Sequence, residues 1–114
     1  MFDFEKLDVY QEIKNLNAIV IAFIFTEVKD EYISKQWKRA TMSIMLNLAE
    51  GTGRIVANEK KHFYTISRSS VFECVAIMDV LRGQNQIETA KYDEFYSSYE
   101  KLSKMLLGLF RNVV

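Results

Sequence analysis

Residues 36–51, QWKRATMSIMLNLAEG, constrain the fold of this 114-residue chain more than any other stretch. The second half carries Met42, Ile44, Met45, Leu46, Leu48 and Ala49, which encircle a helix rather than line one side of it. A helix of that kind has no face left for water and is expected to be buried on more than one side. It also carries a polar stripe. Arg39, Ser43, Asn47 and Glu50 recur at steps of four, four and three, which puts them on one helical face. A buried stripe needs partners, because each unsatisfied polar group costs about 1–3 kcal/mol.

The remaining sequence reads as further helices. Proline is absent and only 4 glycines occur, so long helices are permitted and a loop-rich β fold is disfavoured. Helical segments are predicted over about residues 7–25, 31–54, 58–82 and 89–112. Val9, Ile13, Leu16, Val20 and Phe23 mark the inner face of the first. Asp30 can cap the second through its carboxylate, and Asn58 and Thr89 are predicted to cap the third and fourth. Gly51 and Gly53 are read as the end of the second helix and Gly83 as the end of the third, since glycine accepts the left-handed conformation. In the fourth, Tyr92, Phe95, Tyr99, Leu102, Leu106, Leu109 and Val113 alternate steps of three and four, a heptad seam. Short connections favour antiparallel neighbours. The expected fold is all-α: one antiparallel up-down-up-down four-helix bundle over residues 1–114.

A register follows for the polar stripe. If the second and third helices fold back about a turn near residues 55–58, facing residue numbers sum to about 113. Arg39 then meets Glu73, Ser43 meets Ser70, Asn47 lies near Ile66 and Ser67, and Glu50 lies near Phe63. The expected structural polar network is Arg39, Ser43, Asn47, Glu50, Ser70 and Glu73. Its role is to fix register and assembly. If the Arg39–Glu73 pair is deeply buried, removing one partner should cost roughly 3–5 kcal/mol. A ligand pocket lined by Arg39, Asn47, Glu50 and Glu73 is the less favoured alternative, because carboxylates around an arginine more often form an ion-pair network than an acid/base pair.

Other chemical signals are weak. Gly51-Thr-Gly53-Arg54 is not a dinucleotide fingerprint, since no strand precedes it and Val56 stands where the third glycine belongs. His62 lacks a metal-ligand partner at helical spacing and reads as surface or interface. Cys74 falls on an apolar face with Val71 and Met78, which suits a buried, inert thiol. No catalytic residues, metal or cofactor are expected, and no small-molecule substrate. The single cysteine permits no internal disulfide and fits a cytoplasmic setting. The apolar run Leu16–Phe25 is well short of the roughly 20 residues that span a bilayer, so no membrane partner is expected.

The net charge is zero but unevenly spread. Through Glu31, three lysines stand against seven acids; from Tyr32 to Val71, seven basic residues stand against Glu50 and Glu59. In an alternating bundle Arg54, Lys60, Lys61, Lys104 and Arg111 share one end. Repeated around an oligomer, that end would offer phosphates a multivalent basic surface. The acidic start of the first helix lies there too, so ordinary solvation of a charged end is the competing reading.

Three motifs resemble one known family. Gln36-x-x-Arg-Ala-x-x-Ser-Ile-x-x-Asn-x-Ala-Glu-Gly51 is similar to the signature of the four-helix-bundle proteins encoded in 23S ribosomal RNA intervening sequences. Phe4-Glu-Lys-Leu-Asp-Val-Tyr-Gln11 resembles the family's N-terminal motif, with Tyr10 in place of tryptophan. Arg68-Ser-Ser-Val-Phe-Glu73 resembles another, with Ser69 in place of glycine, and Met45 stands where many members have proline. The resemblance implies a bundle that often assembles as a ring, typically a pentamer. It also implies likeness in fold to the accessory protein of diversity-generating retroelements, which binds nucleic acid and a reverse transcriptase. Family membership does not by itself supply an enzymatic activity. Apolar residues form 49% of the chain, the upper end of the globular range. Tyr96, Leu107 and Phe110 lie beside the heptad seam, outside the positions a single bundle needs, so a homo-oligomer is expected. The leading expectation is a non-enzymatic assembly protein whose partner is RNA, DNA or a nucleic-acid enzyme. The alternative is a structural homo-oligomer that acts through a protein partner without binding nucleic acid.

Overall fold

The computed structural model describes residues 1–114. A short 3-10 helix, Asp3–Lys6, precedes four long helices: α1 (Asp8–Glu27), α2 (Glu31–Gly53), α3 (Ala57–Gly83) and α4 (Thr89–Arg111). Each packs on its sequence neighbours and α1 closes against α4. The result is an up-down-up-down four-helix bundle, 44 Å long and 22 × 21 Å across. The turns α1–α2 and α3–α4 lie at one end, called here the upper end. The α2–α3 turn lies at the lower end with the start of α1 and the finish of α4.

The core follows the predicted periodicity. On α1, Val9, Ile13, Leu16 and Val20 are buried, with Ile24 fully enclosed and the predicted Phe23 only partly buried, and on α4, Tyr92, Phe95, Tyr99, Leu102 and Leu106 are buried. Leu109 and Val113 are partly buried, where the bundle frays at its lower end. Trp37 sits at the centre, fully enclosed, with Phe23 and Phe95 meeting its ring edge-on at 6.0 and 6.1 Å. Its indole N–H donates to the Tyr99 hydroxyl at 3.1 Å. That bond answers the one polar atom such a large buried ring brings with it.

Helices α2 and α3 make the most intimate pair, because their shared seam is built from small residues. Ser67 donates to the Ile44 carbonyl at 2.6 Å, and the Ser70 hydroxyl donates to that of Ser43 at 2.7 Å. At the lower end Gly51 faces Tyr64. A Cβ on Gly51 would lie 2.6 Å from Tyr64 Cε1 and 3.1 Å from Phe63 Cβ.

Several local expectations need correction. Gly51 and Gly53 do not terminate α2 through left-handed geometry: the helix runs through both, and Arg54 closes it in an extended conformation. Gly51 is small so that Tyr64 can approach. Gly83 is the last residue of α3, but the left-handed turn beyond it is made by Asn85 at φ 56°. Asn58 and Thr89 cap nothing, because α3 begins one residue before Asn58 and α4 begins at Thr89 itself. Val56 and Glu88 hold the cap positions without side-chain bonds. Asp30 does cap α2, accepting from the N–H groups of Tyr32 and Ile33 at 2.9 and 3.1 Å.

The close seam makes a paired prediction. Gly51→Ala gains about 1 kcal/mol of helix propensity but must displace a buried ring, an overpacking cost of about 1–3 kcal/mol. It should leave stability unchanged or lower it by up to about 2 kcal/mol. Gly108→Ala, in the interior of α4 with open space at the new methyl, should raise stability by about 0.5–1 kcal/mol. Urea titration of the two variants checks the sign difference; equal stabilisation would show that α2 and α3 are not held this close.

Candidate functional site

The polar stripe of α2 divides along its length. Ser43 and Ser70 bond each other inside the seam, and the Ile66 carbonyl is a second acceptor within reach of the Ser70 hydroxyl at 3.0 Å. Asn47 donates to the Ser43 carbonyl at 2.9 Å and hydroxyl at 3.0 Å, so its amide stays within its own helix. Arg39 reaches Glu73 at 2.8 Å and also Gln36 at 3.0 Å. That pair lies at the outer edge of the seam, with side chains 63% and 38% exposed. The deeply buried ion pair is therefore not what forms. At such exposure solvent screens the attraction, and the pair is worth about 0.2–1 kcal/mol. Glu50 leaves the network altogether and pairs with Arg54 one turn on. The helical wheel places all four residues on one face but does not say which flank of that face meets water.

A second polar group sits in the core, from residues that look unremarkable in the sequence. Asn17 is buried among the apolar residues of α1 and donates to the Thr41 carbonyl at 2.9 Å. Its Oδ1 and the Thr41 hydroxyl oxygen have no hydrogen-bond partner. Close by, burial pushes the Cys74 thiol up to about 12 and holds the Tyr99 hydroxyl well above its ordinary range. Cys74 is fully enclosed, so the one thiol of the chain is neither ionised nor reachable. No three His, Cys, Asp or Glu side chains converge as a metal site would require.

The cations proposed for the basic end are at or near the lower end, but three of them are engaged. Arg54 pairs with Glu50 and lies over the Phe63 ring. Lys60 donates to the carbonyls of Thr52 at 2.9 Å and Gly51 at 3.5 Å, closing the end of α2. Lys61 sits over the Phe110 ring. Lys104 and Arg111 are exposed on α4 and make no ion pair. Lys104 stands about 10 Å above Arg111 along the helix. His62 is exposed against the edge of Phe63.

The most distinctive surface is the groove between α3 and α4. Phe72 stands at its centre, 56% exposed. Above it the groove is lined by Val75, Ala76 and Tyr96, and below it by Tyr64, Leu107 and Phe110. Arg68 lies over the Phe72 ring at 4.8 Å and is anchored by its Nε donating to the Ser103 carbonyl at 3.0 Å. An exposed aromatic beside a fixed guanidinium is the composition of interaction hot spots. Tyr96, Leu107 and Phe110 are read from the sequence as surplus; Phe72 is not, although it follows Val71 by one residue and so turns away from the core. Exposed apolar residues also remain on the opposite side of the bundle. Met42 and Leu46 of α2 and Ile21 and Phe25 of α1 face solvent. Within the single chain, the encircling apolar residues of α2 are therefore not buried on more than one side.

Residues 5–108 match the family model described as 23S rRNA-intervening sequence protein. No curated protein matches the chain. No helix is long and apolar enough to cross a membrane. With its four-helix fold and a match over nearly its whole length, the chain belongs to the 23S rRNA-intervening sequence protein family.

The burial of Cys74 has a consequence at high pH. Its thiol titrates at about 12 in the fold against an ordinary 9.0. A raised folded value means that the stability it contributes is fully present below pH 9 and is lost as pH rises toward 12, because the unfolded thiol ionises first. Thermal midpoints should fall over that window, and Cys74→Ala should remove part of the fall. A variant with the same pH dependence would place the thiol in contact with water.

Proposed function

We propose that this member of the 23S rRNA-intervening sequence protein family is a non-enzymatic, homo-oligomeric interaction protein whose assembled form engages RNA, DNA or a nucleic-acid enzyme. The observation that carries the assembly is a bundle whose core is already full while large apolar side chains stay outside. Phe72, Tyr96, Met42, Leu46 and Phe25 are all exposed, although the central positions of the four helices are packed around Trp37. Soluble monomers rarely leave so many large apolar side chains uncovered on two sides. Closed rotational symmetry covers it without propagating into fibres. The family resemblance supports five subunits as the stoichiometry. A non-enzymatic role is supported by the family and by the enclosure of the one thiol.

The nucleic-acid arm rests on Lys104 and Arg111, the two candidate cations that no ion pair, backbone carbonyl or aromatic ring engages. An oligomer multiplies them around one end, where each neutralised phosphate releases counterions. Lys61 and Arg54 add charge there while bound to their own aromatic and acidic neighbours. Lys60 contributes through the fold, since it closes α2.

Light scattering together with salt titration of labelled single-stranded RNA and DNA tests both arms. The expected results are a mass several times the 13.4 kDa chain and an affinity that falls steeply with salt. Lys104→Ala combined with Arg111→Ala should flatten the salt dependence. On a single strand the logarithmic slope should drop by roughly 0.7 for each phosphate no longer neutralised. An unchanged slope would remove these residues from the interface. Absence of binding even at low salt would favour the alternative, a structural oligomer acting through a protein partner. A stable monomer would overturn the assembly.

A further inference from the structure

We infer that the centre of the bundle is a binding site for one ordered water molecule, held between Asn17 Oδ1 and the Thr41 hydroxyl in a polar layer to which all four helices contribute. The site lies inside the core and does not depend on how the exposed apolar faces are used.

Each helix gives one side chain to the layer. Asn17 of α1 donates to the Thr41 carbonyl of α2 at 2.9 Å. Thr41 stands beside Cys74 of α3 and Tyr99 of α4, near enough to bias the ionisation of both. Asn17 is 4% exposed, and Thr41, Cys74 and Tyr99 are fully enclosed.

The protons in this layer do not balance among the side chains alone. The Asn17 amide cannot turn round, because the Thr41 carbonyl needs its N–H. Its Oδ1 is therefore fixed on the other side and has no partner, and neither has the Thr41 hydroxyl oxygen. The two oxygens flank a single hydrogen bond, so they lie close together. The Tyr99 oxygen already accepts from the Trp37 indole at 3.1 Å, which leaves the Tyr99 O–H free to donate. The Cys74 thiol adds a weak donor. No direct bond joins Thr41 to either neighbour. Polar groups that face one another beyond direct bonding distance are where bridging waters sit. A water here donates to Asn17 Oδ1 and to the Thr41 oxygen and accepts from the Tyr99 hydroxyl. About three partners are usual for an internal water.

Side-chain size supplies the room. The turn above the layer carries Trp37, Met78 and Phe95, and the turn below carries Ile13, Ile44 and Leu102, all enclosed. Between these bulky levels α2 and α3 offer only Ala40, Thr41 and Cys74. A small space lined by apolar groups stays dry, whereas one lined by unpaired oxygens retains water.

Oxygen-17 magnetic relaxation dispersion in enriched water tests the site, because it counts long-lived internal waters without interference from exchanging hydroxyl protons. Thr41→Val keeps the shape of the side chain and removes its hydroxyl, and Asn17→Leu removes the other acceptor. The native protein should hold one long-lived water more than the double variant. Thr41→Val alone should lower the thermal midpoint, since it takes a bonded partner from the water. A dry layer predicts the opposite sign: replacing an unpaired buried hydroxyl with a methyl leaves the midpoint unchanged or raises it. Equal dispersion in the native protein and the double variant, or a Thr41→Val midpoint at or above the native one, would overturn the site. Should the double variant lose its helical circular dichroism, the water count is compared between the native protein and Thr41→Val.

Discussion

The close approach of α2 and α3 is the constraint on which the rest of the bundle depends. Two helices can run this near one another only where their facing residues are small, and Ser43, Ser67, Ser70 and Gly51 provide that along the seam. The serines bring hydroxyls into a buried place, and each finds a partner there. The seam is thus tight and polar-satisfied at once, which specifies one register rather than several. Slipping α3 by one residue would strand the hydroxyls of Ser67 and Ser70 and drive Tyr64 into a side chain larger than glycine. With that register set, Trp37 is presented to Tyr99 across the core, and the outer flanks of α3 and α4 are turned so that Phe72 stands in solvent.

Much of this was legible in the sequence. The heptad seam of α4 is readable because packing against one partner direction imposes a strict period, and the buried residues follow it from Tyr92 to Leu106. The antiparallel register of α2 and α3 is readable because small polar residues recur at matching distances from the turn. Asp30 is readable because a carboxylate just before a helix has one favourable use. Other features depend on geometry that spacing does not carry. Asn58 and Thr89 have the chemistry of caps, but a cap must stand at the position just before the helix, and each misses it. Gly51 has the chemistry of a terminator but serves as clearance for a tyrosine ring packed from another helix.

The candidate surfaces show the same division. A helical wheel groups Arg39 with Ser43 and Asn47 but cannot say that Arg39 overhangs the edge of the seam. The ion pair with Glu73 therefore forms in solvent and contributes little, whereas the serine pair beside it is enclosed. Glu50 and Arg54 satisfy each other within one turn, a local pairing that withdraws Glu50 from the seam. The buried amide of Asn17 gives no warning in a run of apolar residues. Phe72 escapes notice because a phenylalanine among core residues reads as core until the phase of the helix is fixed. What the chain cannot conceal is its surplus of apolar residues, and in the folded bundle these lie on two opposite faces.

The proposed homo-oligomer would cover these faces when it assembles. Hydroxyl-radical footprinting read by mass spectrometry at each side chain tests this directly, with the protein compared at assembling and at dilute concentrations. Phe72, Tyr96, Met42, Leu46 and Phe25 should be protected at the higher concentration and oxidised on dilution, while exposed Tyr32 stays reactive throughout. Oxidation of Phe72 and Leu46 at the same rate under both conditions would contradict it.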